Sequence, residues 1–141
     1  MKLTTSNIIK SVRFPEVSYT VRSLSEGRRQ TLAASIADAT YQIYDLGAQA
    51  DALLPEDKEA PLDGENLYKR AALLDKITAI DSSVVRPAWI KIYVTKIDGL
   101  EIDGLPATVE SFLNEAPSEM FNEIVDLIKT QASLTSEETK N

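Results

Sequence analysis

The side chains that usually carry catalysis or metal binding are scarce in this sequence. It has no cysteine and no histidine. That excludes disulfides, thiolate nucleophiles, zinc sites of Cys/His type, and every Ser–His or Cys–His mechanism. Carboxylates remain. Glu56, Asp57, Glu59, Asp63 and Glu65 lie close together, but a calcium loop needs alternating oxygen ligands, a central glycine and a terminal bidentate glutamate. The spacing here does not supply them, and the run reads as a solvated charged loop. Asp98 and Asp103 could act as paired acid–base carboxylates. Each precedes a glycine, however, and Asp-Gly is first of all turn chemistry. Gly99 and Gly104 belong to no GxGxxG and to no Gly-Lys-Ser/Thr phosphate loop. No acid, base and nucleophile come together, so the sequence reads as non-enzymatic, with no cofactor and no metal.

Residues that could bind are easier to find. Arg28 and Arg29 open a long helical segment and could hold a phosphate or pair with the acids of a partner; an exposed helical turn is the simpler reading. Trp89, Lys91, Tyr93 and Lys96 alternate base with aromatic, as single-strand nucleic-acid platforms do. Yet 15 basic against 22 acidic residues give a net charge of −7, and aromatics are only 6% of the chain. An acidic protein is repelled by nucleic acid and by anionic membranes, which favours core or protein-partner contacts for these side chains.

The elements that position these residues follow from periodicity. Val17, Tyr19 and Val21 alternate with polar residues and predict a strand over 17–22. Ile8, Ile9 and Val12 suggest an earlier strand paired with it as a hairpin. Ser25 suits a helix N-cap. After it Leu32, Ile36, Ala39, Ile43, Leu46, Ala50 and Leu53 recur at 4-3 spacing, a stripe that predicts a helix over 26–54. Such a helix is about 40 Å long at 1.5 Å per residue, enough for part of it to meet another subunit or partner. Leu54-Pro55 ends it. A charged loop over 55–64 leads to a second helix near 65–80, with Leu67, Ala71, Leu74 and Ile77 as its apolar face, and the two should pack as an antiparallel hairpin. The β-rich run 88–97 predicts a strand, and 100–102 a short return strand after the Asp98-Gly99 turn. Thr108 caps a short helix, Ala116-Pro117 breaks it, and a last helix spans about 119–132 with Phe121, Ile124, Val125 and Ile128 on its apolar face.

The expected fold is therefore α+β and helix-dominated: a long helical hairpin on a small antiparallel sheet, closed by C-terminal helices. Residues 1–132 form one globular domain, and 133–141, with almost nothing to bury, form a disordered tail. The N-terminus lacks a signal-peptide run, and no stretch approaches the roughly 18 apolar residues of a membrane span, so a cytoplasmic location is expected.

The order of these segments carries a resemblance. An extended opening leads into Arg22-Ser23-Leu24-Ser25-Glu26-Gly27-Arg28. A long helix, an acidic loop and a second helix follow, then Arg86-Pro87-Ala88-Trp89. Next come Ile97-Asp98-Gly99-Leu100, Ile102-Asp103-Gly104-Leu105-Pro106-Ala107-Thr108, Val109-Glu110-Ser111-Phe112-Leu113, Ala116-Pro117 and a closing helix. Over roughly residues 12–130 this pattern resembles the tail assembly chaperones of long-tailed bacteriophages and prophages. The Asp98-Gly99/Asp103-Gly104 double turn and the long 55–64 loop depart from it. The resemblance implies a non-catalytic protein of the host cytoplasm that binds the tape measure protein and recruits tail tube subunits. Such proteins are often made in two lengths, the longer by a ribosomal frameshift near the end of the short form. The partner-binding residues would be Arg28, Arg29, Leu32, Ile36, Ile43, Trp89 and Tyr93, with homo-oligomerisation left open. The alternative is a virion structural component, a head–tail connector or head decoration protein. A chaperone is absent from finished particles, and a structural component is present in many copies.

Overall fold

The computed structural model describes the backbone of residues 1 and 5–140 and the side chains of residues 1 and 5–132. The chain is α+β and dominated by helix. Its order is β1 (Ser6–Lys10), β2 (Ser18–Arg22), α1 (Glu26–Ala52), α2 (Gly64–Ile80), a π turn (Asp81–Val85), α3 (Arg86–Tyr93), β3 (Val94–Asp98), β4 (Glu101–Ile102), β5 (Leu105–Pro106), α4 (Val109–Glu115) and α5 (Ser118–Lys140). It divides into two compact units, Met1–Leu32 with Pro87–Asn141, and Ala33–Arg86.

The first unit holds an antiparallel sheet in the order β1-β2-β3. The expected hairpin forms, with Ile9 opposite Tyr19 and Ile8 opposite Thr20. β2 also pairs with β3, and a register shift falls between Thr20 and Val21. The core gathers Val17, Tyr19 and Val21 of the β2 segment with Ile90, Val94, Ile97, Phe112, Met120, Ile124, Val125 and Ile128, all buried. This is the alternation of β2 and the apolar row of α5 meeting as the periodicity requires. Tyr19 and Phe112 meet edge to face at 5.9 Å, a favoured aromatic geometry.

Local chemistry sets the boundaries. The Ser25 hydroxyl accepts from the Arg28 N–H at 3.3 Å, capping α1. Thr108 and Ser111 form a reciprocal capping box on α4. Asp103 (φ 53°) and Gly104 (φ 78°) both lie in the left-handed region, as a two-residue hairpin turn between β4 and β5 demands. Gly99 is held by a close approach: a Cβ there would lie 1.8 Å from the Glu16 carbonyl oxygen.

Four sequence expectations are corrected. Residues 88–97 are not one strand: Arg86–Tyr93 is helical and only Val94–Asp98 is extended. Ile90, Ile92 and Val94 alternate as a strand would, but the same stretch places Trp89 and Tyr93 four apart on a helix, and packing overrides β-propensity. Pro87 lacks an N–H and its ring crowds the carbonyl four residues back. The π turn immediately before it, where the Arg86 N–H reaches back to the Asp81 carbonyl, widens the helix at that point. The return strand pairs elsewhere: β4 joins β5, with Ile102 opposite Leu105, not β3. The covered row of α2 is Asn66, Arg70, Leu73, Ile77 and Ile80, whereas Leu67 and Leu74 are exposed; the row turns away from the face with more leucine. Finally, α5 does not stop near 132 but continues to Lys140, through the segment expected to be a disordered tail. The side chains of 133–140 lie outside the described residues.

Candidate interaction surface

The helical unit, Ala33–Arg86, carries the most exposed apolar surface. On α1 the 4-3 stripe is the covered side: Leu32, Ala39 and Ala50 are buried, and Ile36, Ile43 and Leu46 are half-buried. Residues of the opposite side share a second row at 3-4 spacing, Ala34, Ala37, Tyr41, Tyr44 and Ala48, all exposed. Tyr41 is 77% exposed and Tyr44 78%. A helix with apolar residues on opposite sides asks to be covered on both, and this one is covered on one. On α2 the exposed row is Leu67, Tyr68, Ala71 and Leu74, with Tyr68 79% exposed. Three tyrosines with their rings in solvent are unlike scattered surface leucines. Tyrosine offers a large rigid contact area with few rotamers to fix, which is why it is enriched at interfaces.

The charge along the α1 row has one sign, whereas α2 also carries exposed Lys69 and Lys76. From Gln30 to Asp57 there is no lysine or arginine, while Asp38, Asp45 and Asp51 lie on α1. Asp38 and Asp45 are exposed beside the tyrosine row. The α1 row is apolar and aromatic, and acidic along its flank.

The residues singled out from sequence fall in three places. Arg28 and Arg29 are exposed in the first turns of α1. Leu32, Ile36 and Ile43 lie on the covered side of the helix, away from the tyrosine row. Trp89 and Tyr93 stack on α3 at 5.3 Å and are half-buried against the core of the sheet unit. Lys129 Nζ stands 5.9 Å from the Trp89 ring centroid. Burial pushes the Tyr93 hydroxyl pKa up, and the nearby Arg29 charge opposes that shift. Lys91 belongs to α3, whereas Lys96 belongs to β3 and pairs with Asp98 at 3.4 Å, so the four residues do not form one strand platform. Trp89 and Tyr93 chiefly pack; Tyr41, Tyr44 and Tyr68 are the aromatics left exposed to solvent. The signal for this row in the sequence is the 3-4 spacing of alanine and tyrosine along α1, which is less hydrophobic and therefore weaker than the leucine–isoleucine stripe.

The acidic loop has structural work. The Asp57 carboxylate accepts from the Glu59 N–H at 3.1 Å, and that of Asp63 caps α2 by accepting from the Glu65 N–H at 3.3 Å. Among the described residues no three acids cluster as a metal site would require, and no helix is long and apolar enough to cross a membrane. Comparisons with protein families, curated proteins and solved structures give no match to this chain.

Proposed function

We propose that this protein is a non-catalytic assembly chaperone of a long-tailed bacteriophage, acting in the host cytoplasm to hold the tape measure protein and recruit tail tube subunits. The reading starts from the resemblance in the order of segments. The observation that carries it further is the exposed row of Tyr41 and Tyr44 on α1, with Leu67 and Tyr68 on α2. Its occupant would be an amphipathic helix of the tape measure protein, laying apolar side chains at 3-4 spacing along the row. Basic residues beside that apolar face would meet Asp38 and Asp45, so charge selects the partner while the tyrosines supply contact area. Binding the helix before assembly lowers the concentration of its aggregation-prone free form by mass action. The net charge of −7 keeps the complex soluble.

The test is affinity purification of the full-length tagged protein from cells assembling particles, with the partners identified by mass spectrometry and purified virions assayed for the protein. Recovery of a long helical tape measure protein with tail tube subunits, and no protein in virions, is the expected result. Its presence in virions in many copies, alongside capsid or connector proteins, would replace this reading with a structural one.

A further inference from the structure

A cavity of about 480 Å³ opens in the sheet unit, where the end of β2 passes into α1. Two arginines line it, Arg22 and Arg28, together with Ser6, Ser23, Ser25 and Thr95, and among the described residues no carboxylate does. In a chain with seven more acids than bases, a cavity lined by two arginines and, among the described residues, by no acid is a local reversal of the field. Neither arginine forms an ion pair among the described residues, and the Arg22 Nε is enclosed with no hydrogen-bond partner among them. A guanidinium is costly to leave underused in this way, because a buried donor without an acceptor forfeits its hydration. Two of the hydroxyls are committed: Ser25 accepts from the Arg28 N–H, and Thr95 donates to the Thr20 carbonyl at 3.3 Å. Ser6 and Ser23 hydroxyls remain as neutral donors beside the two cations. Planar forks with neutral hydroxyls suit a tetrahedral oxyanion, which presents several acceptor oxygens at once. The first turn of α1 adds a partial positive charge but does not make the site; the arginine pair does.

We infer that this cavity is an anion site for a phosphate group, either free inorganic phosphate or the terminal phosphoryl of a small phosphomonoester. The site is independent of the tyrosine rows of the helical unit. The test is amide NMR titration of the full chain at constant ionic strength with inorganic phosphate, with glycerol phosphate, and with acetate as a carboxylate control. Saturable shifts centred on residues 22–28 and Thr95, with R28Q weakening the affinity by about tenfold or more, are expected. Arg28 is exposed, so R28Q should fold as the parent does, whereas R22Q on the central strand needs its own fold check. Tighter binding of glycerol phosphate than of phosphate would assign the site to a phosphomonoester; equal or weaker binding would assign it to the free ion. Shifts that do not saturate, shifts unchanged in R28Q, or acetate binding as tightly as phosphate would overturn the proposal.

Discussion

Ser11 and Glu123 lie 112 residues apart in sequence, and the serine hydroxyl donates a hydrogen bond to the glutamate Oε1. The other carboxylate oxygen accepts from the Arg13 N–H at 2.9 Å. Ser11 Oγ in turn accepts from the Phe14 N–H at 2.9 Å. One carboxylate of α5 therefore fixes the turn that joins β1 to β2. Glu123→Ala should lower stability by about 2 kcal/mol, the scale for losing hydrogen bonds to a charged acceptor. In urea unfolding the midpoint should fall at unchanged slope. A midpoint equal to the parent's would show that the turn holds without it.

The same carboxylate bears on Tyr19, fully buried on β2. Burial first, and then the Glu123 charge, push the tyrosine pKa from 10.0 up to about 12. The folded state thus keeps a proton that the unfolded chain releases above pH 10. Stability should be flat below pH 10 and fall as pH rises from 10 to 12, by about 2–3 kcal/mol in all for a shift of this size. The Tyr19 hydroxyl has no hydrogen-bond partner among the described residues. Tyr19→Phe should therefore cost little at pH 7 and remove this part of the alkaline loss. Denaturant melts of both proteins between pH 7 and 12 measure it, and parallel pH profiles would refute it.

The two glycines of the double turn should respond differently to alanine. Both have positive φ, but only Gly99 also faces a wall, the Glu16 carbonyl at 1.8 Å from a built Cβ, whereas Gly104 faces open space. Gly104→Ala should cost about 1–2 kcal/mol, the left-handed backbone penalty. Gly99→Ala adds a backbone clash that nothing flexible can relieve, and should cost more than that or prevent folding. Equal thermal midpoints for the two variants would contradict this.

Those turns also show where the sequence was readable. Asp103-Gly104 declared its turn because few residues tolerate two successive positive φ values. The α1 stripe declared its covered side because seven apolar positions kept one spacing. The segment 88–97 did not declare itself: Ile90, Ile92 and Val94 fit a strand by alternation, and a helix requires only that Trp89 and Tyr93 stack one turn apart, which tertiary packing decides. On α2 the covered row includes Asn66 and Arg70, so counting apolar residues pointed to the wrong face. The cavity of Arg22 and Arg28 joins residues from β1, β2, α1 and β3. Sequence could single out Arg28 as a cation at a helix start, but its closeness to Arg22 depends on how the sheet and α1 meet.

The tyrosine row gives the sharpest separation between folding and function. Tyr41 and Tyr44 are more than three-quarters exposed, so they contribute little to the folded chain. Tyr41→Ser with Tyr44→Ser should shift stability by no more than about 0.5 kcal/mol, as surface changes do. If the row binds an amphipathic helix, the same change should weaken binding to a tape-measure segment by about tenfold or more, because exposed aromatics that become buried on binding are the usual energetic anchors. Asp38→Asn with Asp45→Asn should act differently. It should slow association and flatten the salt dependence, leaving dissociation nearly unchanged, since flank charges steer more than they hold. Surface plasmon resonance at two salt concentrations separates these effects. Loss of affinity in the aspartate pair without any loss in the tyrosine pair would mean that charge alone makes the contact and that the aromatic row faces something else.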